Sequence, residues 1–471
     1  MSTSEPLSTS AFYSADHVVD NQSVPSSDVV VKRKIDPETP EFADFFEIPR
    51  IVSWIKENNF QRVALQLPDA FLTYALPLAS RIERESGSKI YVLADTSYRS
   101  CCIDAVAAEH ATCDSLVHFG EACLSSPSEA IPVLYIYGKL DVDWADFESH
   151  LREKFDSEDQ SGFVVLYEPG YDNVADRILD SSKKILVERD VQIVRLANLS
   201  SKNASLGREL PECWSEASSN LIFIGSHDSA LLPIWLMTHT RFMKVYNYAP
   251  DEKNLSVLEP ASFKQLRRRL FLIEKLRDAN VVGLVVGTLG VGGIKEAISR
   301  IRKLCKEASK KLYVLSIGKV NEPKLSNFAN DIDCFILLSC PFGIILDTNE
   351  FFKPIVSLFE AEIALNPGKE WFAGGGWTAE FGNFVKDEIG KQDIDKVDIS
   401  LISGKIRTAQ VDDHEKNAES NKQLLEYSAG NYFANRTWKG LDNSYVEEDL
   451  SLNEGLKGIA MEYKSEPTEE K

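Results

Sequence analysis

Cysteine is the residue type whose placement in this chain most invites chemistry. Eight are spread over 471 residues, with none of the short C-x-x-C pairs that mark zinc knuckles or ferredoxin runs. Three stand just past β-branched runs. Cys101, with Cys102 beside it, follows KIYVLA and the loop DTSYRS; Cys123 follows SLVHF within HFGEACLS; Cys340 closes the run ending at Ser339, before Pro341. In open parallel α/β sheets, ligands gather where strands deliver their carboxyl ends to loops, because helix N-termini and free backbone amides point there. Loops at one edge can converge on a point. Thiolates from such loops suit an iron–sulfur cluster, since soft sulfur donors stabilise iron and folding can bring distant cysteines together. Three ligands would leave one iron open to a substrate's amino and carboxylate groups. The alternative is packing, the usual fate of an unpaired cysteine, and placement alone leaves both readings open. Cys113, Cys305 in the helical pattern IKEAISRIRKLCKEA, and Cys334 among strand apolars read as core.

The elements that must position these residues form three groups. The first comprises Arg62–Leu67, a helix over 70–84, Lys89–Ala94, Ser115–Phe119 and Pro132–Tyr137. The second comprises Phe163–Tyr167, a helix near 174–188, then Val191–Leu196, Leu221–Gly225 and Lys244–Tyr248. The third runs through Val281–Val286, a helix at 293–308, Leu312–Ile317 and Ile332–Leu338, ending in a helix over 355–364. Strands alternating with helices are the pattern of parallel sheets covered by helices. The fold class expected is therefore α/β, with three tandem Rossmann-like units whose short parallel sheets are flanked by helices. Residues 1–45 are rich in Ser, Asp, Glu and Pro without apolar periodicity and read as a disordered lead-in. The units are placed at 46–155, 156–278 and 279–400, with a polar tail over 401–471 docked on the body. Helix 263–276 joins the second and third units: Phe263, Leu266, Leu270, Ile273 and Leu276 recur at helical spacing, and Lys264, Arg267, Arg268 and Lys275 form a solvated face.

Composition narrows the partners. A formal charge of −20 and a pI near 4.9 oppose direct nucleic-acid binding, because a polyanion is repelled at long range. Met1–Asp20 has no basic start followed by an apolar run. No apolar run approaches spanning length, so no membrane role is expected. Many cysteines without a secretion signal point to a reducing, cytoplasmic setting. Gly287–Gly293 (GTLGVGG) follows a strand and precedes a helix, and reads as a tight turn before it reads as an anion cradle. Glu370–Trp377 reads as flexible with aromatic packing. His227 and His239 fit no metal-ligand spacing on one helix face.

Three stretches carry a family resemblance. Ala94–His110 (ADTSYRSCCIDAVAAEH) with Val117–Ser125 (VHFGEACLS) resembles the first-domain motif of the diphthamide-forming 3-amino-3-carboxypropyl transferases. Val320–Ile363, with its cysteine before Pro and its later Phe-Lys-Pro, resembles their third-domain motif. The tail Arg436–Tyr463 is similar to the end of the eukaryotic second subunit. The resemblance implies a non-classical radical S-adenosylmethionine system. A 4Fe-4S cluster cleaves S-adenosylmethionine to a 3-amino-3-carboxypropyl radical, which adds to a histidine of translation elongation factor 2. It further implies a heterodimer with a paralogous first subunit, and electrons delivered by a small metal-binding carrier protein.

The family plan takes one cysteine from each of three domains, and this sequence departs from it. The middle unit's cysteine, Cys213 in LPECWSEASSN, lacks the expected Gly-Cys-Thr-Ser-like turn. The second-subunit pattern places two ligands in the first unit, so the assigned ligands are Cys101, Cys123 and Cys340, with Cys213 as the fallback. Cys102 would point away from Cys101 on an extended backbone, because neighbouring side chains alternate faces, and is read as a packing or backup thiol. The missing middle motif favours a subunit that assists reduction of its partner's cluster over a self-sufficient transferase. A scaffold without a cluster is the third reading.

Overall fold

A computed structural model describes residues 35–94, 100–126, 131–155, 161–197, 204–211, 219–240, 242–258, 262–345, 351–371, 376–390, 398–402, 404 and 406–407. Cys213, most of the lead-in, most of the loop DTSYRS and the tail beyond 407 lie outside the described residues.

The first unit opens with helices α1 (Pro40–Phe45) and α2 (Ile48–Glu57). Phe42 and Phe46 are fully buried there. Their rings pack edge-on or tilted against Phe71 and Tyr74, an arrangement aromatic quadrupoles favour. The sheet that follows has β1 (Arg62–Gln66), β2 (Lys89–Val92), β3 (Ser115–Phe119) and β4 (Val133–Ile136) in the order β2-β1-β3-β4, all parallel. Along the chain, helix α3 (Ala75–Ser86) connects β1 to β2 and helix α4 (Ala105–His110) connects β2 to β3.

Helix α5 (Trp144–Lys154) leads to the second unit, with β5 (Gly162–Tyr167), α6 (Ala175–Ile185), β6 (Val191–Ile193) and a small three-stranded arm, β7 (Arg195–Leu196), β8 (Ala204–Ser205) and β9 (Arg208–Glu209). Then come β10 (Ser219–Ile224), α7 (Leu231–Thr238), β11 (Val245–Ala249) and β12 (Asn254–Leu258). The main sheet runs β12-β11-β10-β5-β6, with only β12 antiparallel. That edge strand was not anticipated.

The third unit follows α8 (Ser262–Asp278) and comprises β13 (Val281–Val286), α9 (Ile294–Glu307), β14 (Lys311–Ser316), α10 (Glu322–Ser326), β15 (Cys334–Leu338), β16 (Ile355–Ser357) and α11 (Leu358–Leu365), in the sheet order β14-β13-β15-β16. The expected helix over 355–364 is thus a buried three-residue strand followed by a helix. Ser357 separates the two by a capping box with Glu360, the reciprocal pair that starts a helix.

Central strands β1, β3, β5, β10, β13 and β15 are buried almost throughout, as parallel strands covered on both faces must be. A large apolar cluster joins Cys101, Cys102 and Cys123 of the first unit with Leu221 and Trp235 of the second and Val282 and Ile336 of the third. The three larger sheets therefore contribute to one apolar core, which includes these cysteines. Among the described residues, no helix is long and apolar enough to cross a membrane.

Candidate metal centre

Four cysteines converge in this shared core. The Sγ atoms of Cys101, Cys102, Cys123 and Cys340 all lie within 4.8 Å of one another. Cys101 Sγ is 3.7 Å from Cys340 Sγ, and Cys123 Sγ is 4.0 Å from Cys102 Sγ. None is more than 4% exposed. The structure brings together the three cysteines singled out above and adds Cys102. Cys113, Cys305 and Cys334 stand outside this group.

Each thiol owes its place to an irregular backbone just past a strand. Cys340 follows β15 with extended torsions and begins a single 3-10 turn over Pro341–Gly343, where the Gly343 amide donates to the Cys340 carbonyl at 2.9 Å. Cys123 lies in the loop after β3, and its amide donates to the Cys101 carbonyl at 3.1 Å. Cys101 and Cys102 sit on a turn rather than an extended chain, which is why the alternation argument fails and both thiols face the group. Asp104 ends that turn by capping α4, its Oδ1 accepting from the Ala107 amide at 2.9 Å. His118 on β3, fully buried, sits 2.9 Å from the Ser100 carbonyl through Nε2; burial lowers its pKa.

The thiols lie close enough to influence one another's ionisation. The close thiols of Cys101, Cys102 and Cys340 hold the Cys123 thiol well below the ordinary range. Contacts with Cys102, Cys123 and Cys340, then burial, push Cys101 well above it. A buried set of this kind accommodates one thiolate readily and further ones only when a cation compensates them. Burial pushes the core thiol Cys305 up to about 11.

As donors the four are all soft sulfur, the set that selects iron–sulfur clusters or zinc over hard cations. Their spacing is close to the ~3.8 Å edge of a tetrahedron with metal–sulfur bonds of about 2.3 Å. A 4Fe-4S cube is larger than one ion, so the thiolates must part to take it. All four stand on turns or loops just past strands.

The remaining motifs are absorbed structurally. Gly292 of the Gly-rich loop donates its amide to the Ser126 carbonyl at 2.8 Å, and Gly290 donates to Thr288 Oγ1 at 3.2 Å, so these amides are engaged within the protein. His227 Nδ1 is 2.9 Å from Asn247 Nδ2, and His239 Nε2 is 3.3 Å from Ser205 Oγ. The second unit reaches the cysteine loops through its arm. A Cβ at Gly207, whose φ is +68°, would stand 2.5 Å from the Cβ of Leu124, next to Cys123. The sequence held no signal for that contact.

Residues 67–375 match the family model described as a putative diphthamide synthesis protein. The chain is 44% identical over 435 residues to the 2-(3-amino-3-carboxypropyl)histidine synthase subunit 2 of Caenorhabditis elegans, covering 89% of this chain and 91% of that one. It is 32% identical over 475 residues to the subunit 2 of Schizosaccharomyces pombe, covering 92% of each. Among solved structures, Dph2 from Pyrococcus horikoshii matches with a TM-score of 0.53 at 21% identity, over 70% of this chain and 94% of that one. The same protein solved with a 4Fe-4S cluster matches equally, at 19% identity over 68% of this chain and 91% of that one; at these identities the likeness concerns the fold. With most of its length matched to subunit 2 relatives and two thirds of it to the family model, the chain belongs to the diphthamide synthesis family.

Proposed function

We propose that this chain is the iron–sulfur subunit of a heterodimer that performs the first step of diphthamide biosynthesis. That step transfers 3-amino-3-carboxypropyl from S-adenosylmethionine to a histidine of translation elongation factor 2. The relatives' name, subunit 2 of a histidine-modifying synthase, supports the reaction and the existence of a first subunit. In this reading the chain assists reduction of the cluster in its paralogous partner, and a small metal-binding carrier protein supplies the electrons in the cytoplasm.

The observation that carries the assisting role is the fourth thiol. Cys101, Cys123 and Cys340 are assigned as ligands, and Cys102 stands within 4.8 Å of all of them. A 4Fe-4S cluster held by thiolates supplies one-electron transfer. Four thiols can ligate four irons, which leaves none open to the amino and carboxylate groups of S-adenosylmethionine. Burial of all four at 4% exposure or less excludes water from their sulfurs, a lever that sets cluster potential.

The test is incubation of the isolated chain with dithionite, S-adenosylmethionine and the elongation factor, with and without the paralogous subunit. Modification only when the paralogue is present is expected. Robust modification by this chain alone overturns the assisting role in favour of a self-sufficient transferase.

A further inference from the structure

The turn that carries Cys101 and Cys102 is fixed by two contacts from elsewhere in the fold. Gln66, at the end of β1 and 2% exposed, spans the turn with one side chain. Its Nε2 donates to the Cys102 carbonyl at 2.7 Å, and its Oε1 accepts from the Asp104 amide at 3.0 Å. The second contact comes from the Gly-rich loop of the third unit. A Cβ at Gly290 would overlap the Ile103 carbonyl oxygen and stand 3.6 Å from the Cys102 Cβ, so only glycine lets the two backbones approach this closely.

We infer that Gln66 and Gly290 are positioning residues of the cysteine site. Together they hold residues 101–103 in a turn that aims two adjacent thiols at one point, which a regular extended strand forbids. Gln66 pairs with one carbonyl and one amide at the two ends of the turn. Gly290 presses on the same turn from a different unit, so the thiols of the first unit are set partly by the third. The Gly-rich loop thus acts by close backbone approach and not by holding an anion. The inference rests on reading the four cysteines as a metal centre, but its claim concerns where the thiols are held before any metal binds.

The test is native-state alkylation of the reduced, metal-free full-length chain with iodoacetamide, read cysteine by cysteine by mass spectrometry. Gln66→Glu keeps the side chain's shape and its acceptor for Asp104 but replaces the donor to the Cys102 carbonyl with an oxygen. Gly290→Ala introduces the overlap with Ile103. Gly382→Ala is the control, since a Cβ there meets nothing within 4 Å. Cys334, fully buried in β15, is the internal reference for global opening.

Cys101 and Cys102 are expected to react at least about tenfold faster in Gln66→Glu and Gly290→Ala, as local opening of a loosened turn allows. Cys334 and the Gly382→Ala protein keep wild-type rates, and the electron paramagnetic resonance signal of reconstituted Gln66→Glu shifts. Rates for Cys101 and Cys102 within about twofold of wild type in Gln66→Glu overturn the inference. If Gly290→Ala also speeds Cys334, that variant has loosened throughout and Gln66→Glu alone decides. Labelling needs no metal, so failure of the wild type to take up a cluster would defeat the metal-centre reading and leave this test standing.

Discussion

At the carboxyl end of β15, third in its sheet's order, the third unit delivers Cys340 to the metal centre. At the same place in the second unit, the end of β10, the chain delivers Gly225, Ser226 and His227. Those residues close on their own unit: the Gly225 backbone lies against the side chain of Glu168, and His227 pairs with Asn247. One strand order thus serves two ends, thiols aimed outward in the first and third units and a self-contained polar cluster in the second. The second unit reaches the cysteine loops by packing Gly207 on Leu124.

Buried charge divides the units in the same way. At the boundary of the third, the Arg269 guanidinium of α8 grips Glu360 of α11 with two contacts of 2.5 Å, and both groups are at most 1% exposed. Trp377 Nε1 donates to the same carboxylate at 2.9 Å, and Arg300 pairs with Glu362 at 2.5 Å. In the second unit, fully buried Arg208 donates to the carbonyls of Gly207 and Tyr167, each at 3.4 Å, and burial lowers its pKa. Glu168 is 3% exposed, and burial pushes its pKa up to about 7 against a hydrogen bond from Ser229. Buried charge is paired between α8 and α11, whereas burial holds the Glu168 carboxyl of the second unit toward its neutral form.

The largest effect expected from breaking this contrast is in the third unit. Arg269→Met strands the Glu360 carboxylate in the core and should cost about 3–5 kcal/mol in denaturant unfolding. The double variant Arg269→Met/Glu360→Gln should recover much of that loss, since no buried charge is left alone. A single variant as stable as wild type would show that the pair does not hold α8 to α11.

A smaller effect is expected in the second unit. Glu168 has its folded pKa raised from 4.5 to about 7, so the folded state binds its proton more tightly than the unfolded chain. Its stabilisation is complete below pH 4.5 and is lost as pH rises toward 7, by roughly 3 kcal/mol at about 1.4 kcal/mol per pH unit. Glu168→Gln should remove that decline, so the variant gains on wild type between those limits when unfolding is followed against pH. Parallel pH profiles for the two proteins would refute the buried-carboxyl assignment. The smallest effect belongs to Cys305→Ala on α9, about 1 kcal/mol in stability with no change at the metal centre.

Much of this was legible because strand periodicity is local. The central strands of all three units stand where their β-branched runs predict, and Cys101, Cys123 and Cys340 were singled out because each follows such a run. What was missed depended on distant contacts. Cys102 joins the group through a turn held by Gln66, 36 residues earlier. β16 is three residues long between Pro354 and a helix start, too short to show an alternation of its own. Phe42 stands between Glu41 and Ala43 in sequence, and its burial follows from contact with the Tyr74 ring, 32 residues downstream.

The central claim is that Cys101, Cys123 and Cys340, with Cys102 beside them, form a metal centre. Anaerobic reconstitution of the purified chain with iron and sulfide tests it most directly, read by charge-transfer absorption near about 400 nm from thiolate-bound iron. Cys101→Ala, Cys123→Ala and Cys340→Ala should each impair the band while Cys305→Ala leaves it intact. A normal cluster in all three variants would contradict the account.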